Sequence, residues 1–326
     1  MISLGALGIV LYFAPLGQVI EVLQHAQYGY LPIAICLFIL SLIARSMGWR
    51  TMLQEQINGS RLFFVINIGY LVNNIFPFRA GEISRAILVS QTSEVSFWQV
   101  ASSIIIERAF DLLIAVSLLI TSIPFVLVSS SSPNTTELAK PAAIISGGIV
   151  ILGFYILYIL ANNRVIVIAK LHILSMRFPL LSKLRVERLD SFFLGLVCLT
   201  KVSRFLQVLG WMLLTWAFQI AQTYVLLRIF VDHIDLYWIT FALGVTSLGV
   251  AIPSSPGGIG VVEAAYVGAL SIFKIDASKA FAFALLGHFI YYTITAIFGI
   301  IGLFREGESL THFYHRIFSR RSINTK

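Results

Sequence analysis

Five apolar stretches, near residues 30–49, 98–128, 141–161, 203–229 and 280–304, are each long enough to cross about 30 Å of hydrocarbon, for which roughly 20 helical residues suffice. A marginal sixth covers 2–16. In lipid every backbone N–H and C=O needs a partner within the protein, and segments of this length meet that need as helices. Composition agrees: 12% of the 326 residues are charged and the mean hydropathy is +0.90, whereas soluble domains carry about 25% charge. The expected fold is all-α, a polytopic transmembrane helical bundle forming one membrane domain over residues 1–326.

Two more apolar stretches are broken. Leu62 to Phe76 gives only about 22 Å of helix before the chain passes through Pro77, Arg79, Gly81 and Glu82. Leu236 to Ile252 ends in Pro253-Ser254-Ser255-Pro256-Gly257-Gly258-Ile259-Gly260. Basic residues decide whether these stretches cross, because Lys and Arg collect on the cytoplasmic side. Arg45, Arg50 and Arg61 mark the loop after the second span as cytoplasmic. So do the six basic residues from Arg164 to Arg188 in the connection near 162–202, and Arg305, Arg316, Arg320, Arg321 and Lys326 in the tail 305–326. The poorly basic 17–29, 129–140 and 230–236 then fall outside. This parity holds if about 62–90 enters from the cytoplasm and returns, and about 237–273 enters from outside and returns. The reading is about six full spans plus two oppositely oriented re-entrant helical hairpins, with both termini cytoplasmic. Opposed, interrupted hairpins in corresponding halves are the sequence mark of an inverted-repeat transporter, although only the spacings Pro77-x-x-x-Gly81 and Pro256-x-x-x-Gly260 match. The connection at 163–190 mixes apolar and basic residues as an amphipathic helix on the inner leaflet does.

Other classes are less well served. Cys36 and Cys198 have no companion spacing for a disulfide or a zinc site. The net charge of +8 resides in loops and termini, as topology signals and affinity for anionic lipid rather than for nucleic acid. The run 2–16 lacks a basic flank and a cleavage site, so it reads as a retained span; with no Lys or Arg ahead of it, a natural start upstream of Met1 stays open. No P-loop, GxSxG or HExxH signature is present, and no enzyme, cofactor or metal is expected.

The residues that carry chemistry sit at the breaks. At membrane depth Arg79, Glu82 and Arg85 each cost at least about 2.5–3.5 kcal/mol unless paired or wetted, which places them on an internal cavity with Asn74. A half-helix starting near Gly81 aims its free N–H groups there, which points to an anion and first to phosphate. Glu82 alone cannot neutralise two arginines; Glu107 and Asp111, one turn apart with Arg108 between them, are candidate partners. In the second hairpin Gly257 and Gly258 allow close backbone approach or an anion nest, and Glu263 lies in an apolar segment. His288, with Tyr291 and Tyr292, reads first as a packed hydrogen-bonding residue and second as a proton relay or headgroup contact, and Gln219 and Gln222 read as interhelical contacts.

Together Asn-x-x-Pro-x-Arg-x-Gly-Glu-x-x-Arg at Asn74–Arg85, Glu-Arg-x-x-Asp at Glu107–Asp111 and Pro-x-x-Pro-Gly-Gly-x-Gly-x-x-Glu at Pro253–Glu263 resemble the lysylphosphatidylglycerol synthase transmembrane-region family, often described as flippase-like. The resemblance implies a multi-pass protein of a bacterial or archaeal plasma membrane. Its ligand is then a lipid with an anionic headgroup, an anionic phospholipid or a polyprenyl-phosphate-linked lipid. The full-length synthases also carry a soluble aminoacyltransferase domain, which this sequence lacks, so lysyl transfer is not expected. Three readings follow: a lipid translocator or lipid-binding transporter, a membrane subunit presenting lipid to a glycosyltransferase or aminoacyltransferase, and a small-anion transporter.

Overall fold

The computed structural model describes residues 2–76, 79–130, 136–162, 200–251 and 255–307. Most of the basic connection near 162–202, the tail beyond Gly307, and the breaker prolines Pro77 and Pro253 lie outside the described residues. Those described form helices and no strand: α1 Ile2–Phe13, α2 Leu16–Gln24, α3 Leu31–Met52, α4 Gly59–Ile75, α5 Ala80–Thr92, α6 Phe97–Ser130, α7 Thr136–Asn162, α8 Val202–Leu227, α9 Leu236–Ala251, α10 Val261–Ser271 and α11 Ala277–Arg305. Four of the spans they contain are long and apolar enough to cross a membrane: Tyr28–Met52, Phe97–Leu127, Val202–Leu227 and Ala277–Arg305. Where a short first span is expected over 2–16, two helices meet at a sharp bend, and counted as one span they would make a fifth. The chain bends by 69° between α1 and α2, at Pro15, whose ring fixes φ and removes a helical donor, and helix then continues to Gln24 through residues expected to be loop.

Both interrupted stretches fold back on themselves. In the first, Arg61 near the start of α4 meets Thr92 and the Leu88 carbonyl at the end of α5. At the neck a Cβ on Gly81 would lie 1.8 Å from the Gly69 carbonyl oxygen, so the two arms touch backbone to backbone. Asn73 of α4 caps the opposite arm, its Oδ1 accepting the Gly81 N–H at 2.8 Å. In the second hairpin Trp238 near the start of α9 stacks on Phe273, just past the end of α10, with centroids 5.2 Å apart.

The long helix α11 shows that the two hairpins enter from opposite faces. Its C-terminal neighbour Glu306 pairs with Arg61 at the base of the first hairpin (2.8 Å), while its N-cap Asp276 lies beside the base of the second. Midway along its length of about 44 Å, Thr295 receives a hydrogen bond from Asn74 (3.1 Å) and His288 meets the Gly257 carbonyl (3.1 Å). The tips therefore meet near the middle, where Arg79 Nη2 donates to the Val250 carbonyl across the gap at 2.9 Å.

Packing reveals the repeat that the sequence hides. Each half is a span, a hairpin and a span: α3, α4–α5, α6 and then α8, α9–α10, α11. The two outer spans α3 and α8 pack on each other, α4 packs on α11, and α9 packs on α6, as an exchange of halves requires. The direction is inverted, since the start of α3 and the end of α8 share one face, joined by the Gln27 N–H to the Ile229 carbonyl (3.0 Å). Small residues permit the crossings: Gly299 and Gly302 against α4, Gly244 against α6, and Gly48 against Trp211 of α8. Two apolar cores result, one around Trp49, Ile66, Phe110 and Met212 beside the first hairpin's base, the other around Leu42, Leu226, Leu270 and Phe281 toward the second's.

Gly81→Ala is expected to destabilise the protein by about 3 kcal/mol, because overpacking at a backbone contact cannot be relieved by a rotamer change. Gly268→Ala in α10, where an added Cβ meets nothing within 4 Å, is expected to stabilise by about 0.5–1 kcal/mol. Unfolding of the detergent-solubilised variants, followed by tryptophan fluorescence, checks both signs.

Candidate functional site

A charged layer lies along the first core, and against it is a cavity of about 540 Å³ that residues of both cores line. Both hairpin tips line this cavity, with side chains of α3, α6, α8 and α11 closing it. Its polar wall contains Asn73, Asn74, Arg79 and Glu82 from the first hairpin, Arg45 from α3, and Arg108 and Asp111 from α6.

The layer is organised around α6. Arg45 sends Nη1 to Glu107 Oε1 (2.7 Å) and to Asp111 Oδ2 (3.0 Å), and Nη2 to Asp111 Oδ1 (2.9 Å). Trp216 of α8 donates its indole N–H to the same Oδ1 at 3.1 Å. The other oxygen of Glu107 accepts from Arg85 Nη2 at 2.7 Å. Arg85 is 2% exposed and lies over the Trp49 ring, 4.1 Å from its centroid, while Trp49 is fixed by a hydrogen bond to Ser103 (2.9 Å). Arg108 stands between Glu82 (3.1 Å) and Asp111 (3.1 Å), with Glu107 at 3.6 Å.

Arg79 differs from the other three arginines. Its side chain is 38% exposed, its carboxylate neighbour Glu82 is 3.6 Å away, and its one short bond goes to Val250. Its backbone is left-handed (φ 53°, ψ 38°), an uncommon state for a residue with a Cβ. In all, the guanidiniums of Arg45, Arg79, Arg85 and Arg108 face the carboxylates of Glu82, Glu107 and Asp111, which leaves one positive charge in the layer. Asn74 Oδ1 and Thr246 Oγ1, both buried on residues that line the cavity, have no hydrogen-bond partner within the described protein.

Placed against the expectations from sequence, Arg79, Glu82, Arg108, Asp111 and Asn74 come together on the cavity wall. Arg85 and Glu107 do not reach it; they form the buried backing of the layer. Gly257 and Gly258 line the opposite wall, but the nest expected there is not free: the Gly258 N–H goes to the Ser255 carbonyl (3.0 Å) and the Gly260 N–H to Glu263 Oε2 (2.7 Å). Glu263 lies behind this wall, paired with His288. Arg45, read from sequence only as a topology signal, is the central cation of the network. Its depth was the available clue, since it lies two turns inside a helix that runs on to Met52. Trp216 offers no comparable signal.

Three of the arginines are committed to the fold, so substitutions separate into two kinds. Arg45→Ala leaves Asp111 and Glu107 buried with too few cations, and is expected to destabilise by about 3–5 kcal/mol. Arg79→Ala removes a half-exposed pair and is expected to change stability by no more than about 1 kcal/mol. Thermal unfolding in detergent distinguishes these, with equal losses as the contrary result.

A family model for the lysylphosphatidylglycerol synthase transmembrane region matches residues 1–299. Among curated proteins, the UPF0104 membrane protein MJ1078 of Methanocaldococcus jannaschii is 27% identical over 71% of this chain and 92% of its own length. MJ1595, a second UPF0104 membrane protein of the same organism, is 23% identical over 90% of each chain. Glycosyltransferase AglD of Haloferax volcanii is 25% identical across 95% of this chain, which spans only 54% of that protein. No solved structure matches.

Proposed function

Because the chain belongs to the lysylphosphatidylglycerol synthase transmembrane-region family, an integral membrane protein family, we propose that it binds and translocates a lipid with an anionic phosphate headgroup. The observation that carries this reading is the unbalanced arginine of the charged layer. Arg79 stands at the tip of a re-entrant hairpin, half-exposed on the cavity, and among the described residues two of its N–H groups have partners, the Val250 carbonyl and the more distant Glu82 carboxylate. A phosphate there supplies the missing negative charge, and its oxygens suit the planar guanidinium fork. A cavity of about 540 Å³ falls within the range of ligand pockets, roughly 300–1,000 Å³. It accommodates a headgroup while the acyl or prenyl chains stay in the bilayer.

Translocation uses the inverted repeat. The headgroup binds where the two tips meet, and rocking one hairpin with its partner span against the other half exposes that place to one face and then to the opposite one. In this reading the protein sits in the plasma membrane with both termini cytoplasmic, and the first hairpin opens from the cytoplasmic side. The match to AglD favours a second reading in which the membrane region presents its lipid to a transferase, because that glycosyltransferase extends well beyond the aligned part.

Fluorescent-phospholipid movement in proteoliposomes, read with a membrane-impermeant quencher, tests the proposal. Wild type is expected to move lipid, and Arg79→Ala and Glu82→Gln to slow it at least tenfold while remaining folded. Folded wild type that moves no phospholipid, yet binds phosphate-bearing lipid through Arg79 and co-purifies with a soluble transferase, establishes the presenting role instead.

A further inference from the structure

The second hairpin has a different chemistry from the first. Its tip, Gly257 to Gly260, has positive φ at Gly257, Gly258 and Gly260 and packs against α1, where a Cβ on Gly260 would lie 2.2 Å from the Ser3 carbonyl oxygen. Ser255 donates its Oγ–H to the Ile259 carbonyl (2.7 Å) and its N–H to Ser3 Oγ (3.1 Å), and an acid and a histidine tie the tip to α10 and α11. Glu263 Oε2 accepts the Gly260 N–H at 2.7 Å, and His288 of α11 bridges the remaining distance, with Nδ1 against Glu263 Oε1 and Nε2 3.1 Å from the Gly257 carbonyl oxygen. Glu263 is 2% exposed; His288 and Gly257 line the cavity.

Counting protons settles what this bridge needs. A carbonyl oxygen only accepts, so Nε2 must carry a hydrogen toward Gly257. The Glu263 carboxylate also only accepts, so the short contact at Nδ1 needs a second proton, held either by the imidazole or by the carboxyl. A neutral imidazole facing an ionised carboxylate has one N–H for two acceptors. Remove that second proton and one contact becomes lone pair against lone pair in a buried site, where an unmade hydrogen bond is costly. Either the Gly257 carbonyl or Glu263 is then released, and with it the tip of the hairpin.

Other titratable groups are few around this pair. On α11, Tyr292 stacks on the His288 ring (4.9 Å between centroids), with Tyr291 beside it; Tyr266 is on α10, and Tyr70 approaches from α4. Helices α1 and α9 bring no charged side chain. Across the cavity that His288 lines stand Arg79, bonded to the Val250 carbonyl of the same hairpin, and the paired charges of Arg45, Glu82, Arg108 and Asp111.

We propose that Glu263 and His288 form a proton-binding site open to the cavity through His288, and that the proton bound there is the coupling ion for translocation. The inference rests on the lipid-translocator reading for its purpose and on the hydrogen-bond count for its chemistry. Bound proton holds the tip closed over the cavity. Its loss through His288 frees the Gly257 carbonyl and lets the second hairpin move while the first, fixed by its arginines, keeps the anion.

Two measurements test this, one of which needs no transport. A spin label attached through Ser255→Cys, with Cys36 and Cys198 replaced by alanine, reports mobility of the tip in nanodiscs between about pH 5 and pH 8, the range histidine titrates. The label is expected to loosen as pH rises, following a single proton. Glu263→Gln keeps an oxygen for Gly260 and offers an amide N–H to the imidazole, so its response should be flat; His288→Asn should be flat as well. An identical pH response in Glu263→Gln, or none in the parent protein, overturns the site. In proteoliposomes with a gradient of about one pH unit, the parent should skew the lipid distribution up to about tenfold, whereas Glu263→Gln should give equal leaflets. Lipid movement by wild type that ignores the gradient overturns coupling. If no lipid moves at all, the translocator reading fails, and the label titration alone decides the proton site.

Discussion

The structure depends on where three arginines find their counter-charges. A guanidinium at bilayer depth must be paired or reach water, and Arg45, Arg85 and Arg108 are paired within the protein by Glu107, Asp111 and Glu82. These bonds connect α3, α5 and α6, and the Trp216 indole extends them to α8. Burial makes this a strict arrangement, because removing one member leaves a charge with no solvent to replace it. The first hairpin is therefore locked to its neighbours on both sides: by ions along α5 and, along α4, by the close packing of Gly299 and Gly302 of α11.

The second hairpin occupies the equivalent place in the inverted repeat but has none of those ions. Glycines, serine hydroxyls and the Glu263–His288 pair hold its tip, and in the reading proposed above the bonds of that pair depend on one proton. Equivalent architecture thus bears unequal chemistry, a rigid basic half and a half that answers to protonation. An inverted-repeat transporter needs its two halves to move relative to each other around a fixed site. Unequal bonding at the tips gives a physical reason for which half moves.

Much of this was legible in the sequence, for identifiable reasons. Proline and glycine at Pro77–Gly81 and Pro253–Gly260 announce the breaks, and the distribution of Arg and Lys forces both stretches to turn back. The cost of charge in lipid singles out Arg79, Glu82, Glu107 and Asp111. What stayed hidden involves partners far apart in the chain. Arg45 meets Glu107 and Asp111 across more than 60 positions, Asn73 caps a helix on the other arm of its own hairpin, and His288 is 25 residues from Glu263. No periodicity reports such meetings. The repeat was equally obscure, because packing through Gly244 and Gly299 constrains size at single positions and leaves the surrounding sequence free to diverge.

Arg79 connects these themes. Its left-handed backbone costs about 1–2 kcal/mol for a residue with a Cβ, and glycine there would avoid the cost while losing the guanidinium. The conformation turns the chain into α5 directly after the break and sends the side chain across to the Val250 carbonyl of the opposing hairpin. Among the described residues, that bond is where a charged group of the first tip grips the second. A phosphate oxygen is a stronger acceptor for a guanidinium than a peptide carbonyl, so an anion entering the cavity competes for the same donor. Under the proposed function, binding the headgroup would weaken the contact between the tips at the moment the site is filled.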